Sequence, residues 1–316
     1  MSFIYGEQFK DVMNKSFSVV TKTLSGGDKE KEQKLRSYIY GSRVYKTFIA
    51  SRTSNYNSFL SKFICDDYIQ FGGVKLPYVA GRELEYVMSY KDIFMVYCEY
   101  NDDYSADIIN RIEPSMPEGP YLYYESDTVR IDINENDIVI DCGAWIGDFS
   151  AYAAMKGAKV FAFEPDEKNI RLLEKTRDLN QLNFKIIQKG VSSKTGKSGF
   201  EMGNKVSLAG AISDTGATSI DVITLDQFKK DQGIEKIDFI KADIEGHERF
   251  MLLGAENILR TDEPILSICT YHLPDDPQVL KEIILKFNPK YKIIQRSKKL
   301  YAYVPKTDRN SNMNGE

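Results

Sequence analysis

The stretch from Asn136 to Glu164, NDIVIDCGAWIGDFSAYAAMKGAKVFAFE, constrains the fold more than any other part of the chain. Ile138, Val139 and Ile140 form an apolar run of the kind found in a strand buried on both faces. Asp141, Gly143 and Gly147 follow. Gly143 permits a sharp turn and a close approach to a ligand, and Gly147 opens a helix whose free N–H groups face the space above the turn. Lys156-Gly157 gives that helix a basic last turn and a glycine stop. A second apolar run, 160–163, ends at Glu164, where an acid can accept both hydroxyls of a ribose.

The pattern implies a nucleoside ligand, and its details narrow the choice. A dinucleotide site uses Gly-x-Gly-x-x-Gly, so that a pyrophosphate reaches the helix N-terminus. Here the spacing is Asp-x-Gly-x-x-x-Gly, with the acid before the turn. A carboxylate in that place repels phosphate and suits an ammonium. S-adenosylmethionine has an amino-acid tail, a ribose and no phosphate, so the residues read as a methyl-donor pocket. The competing reading is a structural glycine turn in another α/β protein.

With 316 residues the chain has room for one large domain or two modest ones, and 42% hydrophobic residues can fill a sizeable core. The net charge of −4, with both signs interspersed, argues against a nucleic-acid binder. No apolar run approaches the ~18 residues of a membrane span, and no secretory signal opens the chain. Cys65, Cys98, Cys142 and Cys269 lack metal-ligand spacing, so reduced thiols and a cytoplasmic location are expected.

Residues 1–75 read as a helical region. Asp28 caps a helix there, and Leu35, Tyr38, Ile39, Tyr45, Phe48 and Ile49 form its apolar face. Residues 76–134 form a lead-in segment. Residues 93–97 fit a strand or a helix end, 105–112 a short helix, and 121–124 with 129–133 a strand pair. The main domain spans 135–305, and 306–316 is a polar tail expected to be disordered. Within the main domain, strands at 138–140, 160–163, 184–187, 237–242 and 265–270 alternate with helices. Residues 191–224 read as a hairpin insertion. Asp276-Pro277 starts the last helix as cap and first-turn proline, and 291–295 with 300–304 close the sheet as a hairpin. Such alternation implies a doubly wound, mostly parallel sheet, with ligands beyond the carboxyl ends of its strands.

Both histidines of the chain, His247 and His272, fall just after such carboxyl ends. Methyl transfer is an in-line displacement that depends mainly on positioning, but an alcohol nucleophile must also lose its proton. Histidine suits that work. The sequence assigns His272 as base and Asp243 as its orienting group. His247 reads as a first-turn helix residue, and Glu245 as a helix cap or a contact to the cofactor. A divalent metal on Asp243, Glu245, His247 and His272 is the rival reading, set aside because the spacing matches no recognised metal motif. Two readings stay open for Trp145, a wall against the methionine tail or packing on the neighbouring helix. Ser150 either bonds the amino-acid moiety or is a solvated helix residue.

The segments VIDCGAWIGDFSAYAA, FAFEP, IDVITLDQF, DFIKADIEGHE and ICTYH, in that order, resemble the FkbM family of S-adenosylmethionine-dependent methyltransferases over residues 130–304. The resemblance implies a class I methyltransferase (Rossmann-like) fold of seven strands, the last antiparallel. It also implies O-methylation, typically of sugars in polysaccharides or of natural products. Asp141, Gly143, Ala144 and Gly147 match its cofactor loop, Glu164 its ribose acid, and Asp243, Glu245 and Gly246 its acidic motif. Members often carry a second acid where this chain has Ala242. Methylation at nitrogen or carbon, or a cofactor-binding module without activity, are the competing functions. An Asn-Pro-Pro-Tyr-type motif, which favours nitrogen, is absent after the fourth strand.

Overall fold

In the computed structural model, the described residues are 57–94, 120–126, 129–201, 211–212, 218–296 and 298–305. The capped helix after Asp28, the helix at 105–112 and the polar tail lie outside them. The chain divides into two compact units, residues 1–117 with 203–210, and residues 118–202 with 211–316.

In the first unit, β1 (Ile64–Cys65), β2 (Tyr68–Phe71) and β3 (Val74–Pro77) form an antiparallel meander. The helical expectation therefore does not extend to residues 64–75. Alternation wins there: Ile69, Phe71, Val74 and Leu76 are buried, with Gly72 and Gly73 at positive φ making the turn. Helix α1 (Glu83–Ser89) runs on into a wide turn at Tyr90–Phe94, so the helix-end reading of 93–94 holds. Phe59, Phe63, Phe71 and Tyr90 pack as an aromatic cluster, with ring centroids 5.1–5.4 Å apart.

The second unit begins with a hairpin, β4 (Tyr123–Ser126) and β5 (Val129–Ile131), as the strand pair predicts. Its centre is a seven-stranded sheet. Strands β6 (Ile138–Cys142), β7 (Lys159–Phe163), β8 (Lys185–Ile187), β13 (Phe239–Ala242) and β14 (Ile265–Cys269) are parallel. The order is β15-β16-β14-β13-β6-β7-β8. Strand β15 (Lys292–Arg296) takes one edge. The last strand, β16 (Lys299–Tyr303), inserts between β14 and β15, antiparallel to both. This is the class I methyltransferase topology that the resemblance implies. The strand order reverses at β6 and β13, which opens a crevice between their carboxyl ends.

The intervening strands β9 (Gly190–Val191), β10 (Gly196–Glu201), β11 (Ala211–Ile212) and β12 (Thr218–Ile223) form a separate small sheet. Where a hairpin insertion was expected, β10 pairs antiparallel with both β11 and β12, and β12 pairs in parallel with β9.

Helices α2 (Asp148–Met155), α3 (Glu167–Leu179), α4 (Leu225–Asp231), α5 (Glu248–Leu253), α6 (Glu256–Thr261) and α7 (Asp276–Phe287) cover the large sheet. Asp166 caps α3 by accepting from Lys168 N, and Thr224 caps α4 by accepting from Gln227 N. Each cap contributes about 1 kcal/mol. Asp275, not Asp276, is the residue before α7, because Asp276 turns inward to bond Leu273 N and pair with Arg249. Helices α5 and α6 are two short pieces that part at Gly254. There a Cβ would lie 2.2 Å from the Ser192 carbonyl oxygen. Phe250 and Leu253 consequently face outward, 41% and 43% exposed.

The core over one sheet face joins Ile140, Phe161, Phe163, Ile240, Leu266 and Ile268 to Phe228, Met251, Leu252, Leu259, Leu280 and Ile284. Phe228 sits edge-on to Phe161 and Phe163, with centroids at 5.2 and 4.8 Å. Phe228→Ala therefore removes the ring that ties α4 to β7. We expect it to lower unfolding free energy by about 3–5 kcal/mol in urea titration.

Candidate active site

The crevice between β6 and β13 is built by close backbone contact. Gly143 follows β6 at φ +79°, and a Cβ there would lie 2.0 Å from the Asp243 carbonyl oxygen. Gly147 has φ +91°, and a Cβ would lie 2.5 Å from Leu173 Cδ1 on α3. Both glycines are thus demanded by packing within the fold. Trp145 between them holds φ +50°, a strained conformation for a large side chain.

That turn delivers Trp145 N–H to Glu164 Oε2 at 2.9 Å, while Asp166 N and Asn169 Nδ2 donate to Oε1 at 3.0 and 3.4 Å. Glu164 is 6% exposed. Burial pushes its carboxyl up to about 7, against the opposing pull of those three bonds. With three donors already on it, the carboxylate keeps about one of its four lone-pair sites, on Oε2, for an incoming ribose hydroxyl. Trp145 is half-buried and Ala144 is buried in the same turn.

The structure places Asp141 and Ser150 beneath the turn, in contact with each other. Both are wholly buried, at 0% exposure. Ser150 Oγ donates to Asp141 Oδ2 at 2.6 Å, and Lys241 Nζ pairs with Asp141 Oδ1 at 3.0 Å. Parallel register sets Lys241 directly beside Asp141. Lys241 Nζ also donates to the Gly143 carbonyl at 2.7 Å and lies 5.1 Å from the Tyr121 ring centroid. Burial alone would discharge this lysine, but Asp141, Asp243 and Asp148 outweigh it and hold the amine charged. The ammonium slot beside Asp141 is thus filled by the chain's own lysine.

A second cluster sits beyond β13 and β14. Asp243 Oδ2 accepts from Tyr121 Oη at 2.6 Å, and Oδ1 accepts from Tyr271 Oη at 3.1 Å. His272 packs against the Tyr271 ring, with centroids 4.2 Å apart. Its Nδ1 lies 2.9 Å from Glu248 Oε1, and its Nε2 lies 3.5 Å from Asp243 Oδ1 and 3.6 Å from Glu245 Oε2. The carboxylate nearest Nδ1 is therefore Glu248, and Asp243 lies on the Nε2 side. The sequence reading gives Glu248, on the first turn of α5, no role. His247 is elsewhere: its Nε2 is 3.0 Å from Ser192 Oγ and its ring stacks on Phe250. Arg249 pairs with Asp275 and Asp276, which clamps the loop carrying His272 onto α5.

The charges in this cluster diverge. Burial would raise the Asp243 carboxyl, but His272, Lys241, Lys299 and the Tyr121 hydroxyl outweigh it and hold it well below the usual range. Partial burial pushes Glu245 up to about 7, opposed by His272 and reinforced by Asp243 and Glu248. Burial pulls His272 down, but the Glu248 bond and the charges of Glu248, Asp243 and Glu245 prevail and push it up to about 9. Sequence reasoning missed Tyr121, Lys241 and Lys299. Lys299, wholly buried, sits 4.0 Å from the Tyr121 ring centroid. The lone available signals were a lysine inside an apolar strand, as at Lys241, and the Tyr-rich lead-in.

Residues 141–293 match the family model described as Methyltransferase FkbM domain. The hexuronic acid methyltransferase AglP of Haloferax volcanii is 28% identical over 165 residues, covering 51% of this chain and 67% of that protein. The crystal structure of Methyltransferase FkbM from Methylobacillus flagellatus KT is similar at a TM-score of 0.48 and 21% identity. That match covers 81% of this chain, which spans only 60% of the other. A putative rRNA-methylase from Clostridium thermocellum is similar at a TM-score of 0.34 and 14% identity, over 54% of this chain and 86% of that one. Among the described residues no helix is long and apolar enough to cross a membrane.

The buried pair at the base of the crevice carries a measurable load. Lys241→Met leaves Asp141 buried without its cation, and we expect a loss of about 3–5 kcal/mol in urea unfolding. Adding Asp141→Asn to that variant removes the stranded charge and should recover most of the loss. A double variant as unstable as the single would mean that packing, not charge, is the source.

Proposed function

We propose that this protein, a methyltransferase whose residues 141–293 belong to the FkbM domain family, moves the methyl group of S-adenosylmethionine to a hydroxyl of a sugar in a glycan or glycosylated metabolite. The observation that carries the reading is the pair of acidic positions at one sheet edge. Glu164 stands after β7 with a donor-accepting carboxylate, and Asp243, Glu245 and His272 stand after β13 and β14. Strand β6 lies between them, and the turn after it meets both, Gly143 against the Asp243 carbonyl and Trp145 N–H on Glu164.

S-adenosylmethionine supplies an electrophilic methyl on a sulfonium. Glu164 would accept a ribose hydroxyl, and Trp145 and Ala144 would border the nucleoside. On the other side, Asp243, Glu245 and His272 would receive the acceptor hydroxyl, with Glu245, pushed up to about 7, placed to help remove its proton. A sugar hydroxyl is a poor nucleophile until it loses that proton, so polar groups that favour the alkoxide are needed. The carbohydrate assignment is supported by the hexuronic acid methyltransferase relative. The nitrogen and carbon alternatives gain nothing from the geometry, because the cluster offers acceptors and a histidine rather than an amide-binding pocket.

Calorimetric titration with S-adenosylhomocysteine tests the donor side. Glu164→Ala should weaken binding about ten- to a hundredfold, since a hydrogen bond to a charged acceptor contributes about 1.5–3 kcal/mol. Unchanged affinity would mean that the ribose lies elsewhere. Incubation with labelled S-adenosylmethionine should then transfer label to uronic-acid-containing oligosaccharides and not to RNA. Label in RNA alone would overturn the acceptor class.

The raised Glu164 carboxyl adds a pH dependence. A ribose hydroxyl donates to the ionised form, so binding pulls the group below about 7 and expels a proton. Affinity should therefore climb from about pH 6 to about pH 8, and the apparent binding enthalpy should differ between buffers of different ionisation enthalpy. The apo fold runs the other way: a raised carboxyl stabilises it below the usual 4.5, and that contribution fades as pH rises through about 7. A flat affinity profile would show that Glu164 does not meet the ligand.

A further inference from the structure

We propose that Asp243 Oδ1, Glu245 Oε2 and His272 Nε2 form a binding site for a divalent cation of the Mn²⁺ type. Its role in catalysis, though not its existence, rests on reading this cluster as the acceptor side.

The three ligand atoms lie within 4.8 Å of one another. Ligands held about 2.1 Å from one ion at tetrahedral or octahedral angles stand roughly 3.0–3.5 Å apart. Nε2 is 3.5 and 3.6 Å from the two carboxylate oxygens, close to that spacing and too long for hydrogen bonds. The imidazole is 7% exposed, and neither buried ring nitrogen makes a well-formed hydrogen bond: Nδ1 has Glu248 as its ion-pair partner, and Nε2 has only the two more distant acids. An orphaned nitrogen aimed between two carboxylates marks a place where something binds.

The surrounding shell is arranged as metal sites require. A ligating histidine normally gives its other ring nitrogen to a carboxylate, which fixes the tautomer and aims the free lone pair. Glu248, wholly buried, stands 2.9 Å from Nδ1 in that role, and Ile244 N–H holds the same oxygen at 2.8 Å. Ligating carboxylates are themselves hydrogen-bonded. Asp243 accepts from both Tyr121 and Tyr271. Glu245 keeps φ at +54°, so the backbone pays to hold this acid over the cluster. Two carboxylate oxygens and one imidazole suit a borderline-hard ion, and three protein ligands leave positions open for water and the acceptor oxygen.

The chemistry balances without a redox partner. The acceptor hydroxyl gives its proton to water or to the Glu245 oxygen that is not a ligand, and a cation held by Asp243, Glu245 and His272 would lower the cost of the alkoxide. The freed oxygen pair forms the O–CH₃ bond as the C–S bond breaks and its electrons return to sulfur, releasing neutral S-adenosylhomocysteine.

The test uses the full chain, stripped with chelator, and Mn²⁺ titration read by loss of the free-ion electron paramagnetic resonance signal. The expected result is one Mn²⁺ per chain. Glu245→Gln, a change at a side chain 37% exposed and therefore tolerant, should weaken it at least about tenfold. Glu248→Gln, at a side chain that meets Nδ1 and the Ile244 N–H but none of the proposed ligand atoms, should weaken it about 10- to 100-fold. Absent stoichiometric binding, or equal affinity in Glu245→Gln, would overturn the site. S-adenosylhomocysteine titration of the same stripped protein separates the two readings. Donor binding with no Mn²⁺ binding removes the cation alone, and loss of donor binding in a folded protein counts against the methyl-donor pocket itself.

Discussion

Much of this site depends on one buried ion pair, Lys241 with Asp141. Parallel register between β6 and β13 puts the two side by side at the carboxyl edge, where the sheet would otherwise end in a cluster of acids. The lysine neutralises Asp141, ties the Gly143 carbonyl and adds positive potential under Asp243. A buried pair contributes little net stability, because desolvation offsets its attraction. Its consequence is geometric. The turn after β6 is fixed at both its carbonyl and its glycine, and the Asp243 backbone packs into the space where a Cβ would be. The crevice is then rigid before any ligand arrives, which is what in-line transfer requires.

The fold was legible in the sequence where apolar runs and glycine stops are strong. All five parallel strands fall where the apolar runs place them, and the last strand's insertion follows from the family resemblance. Legibility failed where a contact distant in sequence decides. Gly254 breaks a continuous helical pattern because Ser192, 62 positions earlier, has its carbonyl there. The meander at 64–77 was hidden because its strands are only two to four residues long, too short for alternation to outweigh the helical pattern before it.

For the site, the residue types were readable and their roles were not. Asp141 is the clearest case. Its position before a glycine turn suggests a ligand for an ammonium, and the sequence gives no sign that Lys241, a hundred residues on, reaches it. The same holds for Glu248 and His272. Helix periodicity places Glu248 in a first turn, where acids are usual. Only the three-dimensional meeting of α5 with the loop after β14, clamped by Arg249 and Asp276, turns it into the partner of an imidazole.

The two acidic positions at this edge are driven in opposite directions by their surroundings. Glu164 is buried among hydrogen-bond donors with no cation beside it, so its carboxyl rises toward 7. Asp243 is equally hemmed in, but Lys241, Lys299 and His272 surround it and keep it ionised. Carboxylates set apart in this way by environment take different work. A group near neutrality is able to exchange its proton for a ribose hydroxyl at little cost. A permanently charged one suits a partner that stays positive. Around Asp243 that partner set is already present: His272, Lys241 and Lys299 face Asp243, Glu245 and Glu248, so a divalent cation bound there would take the place of the His272 proton.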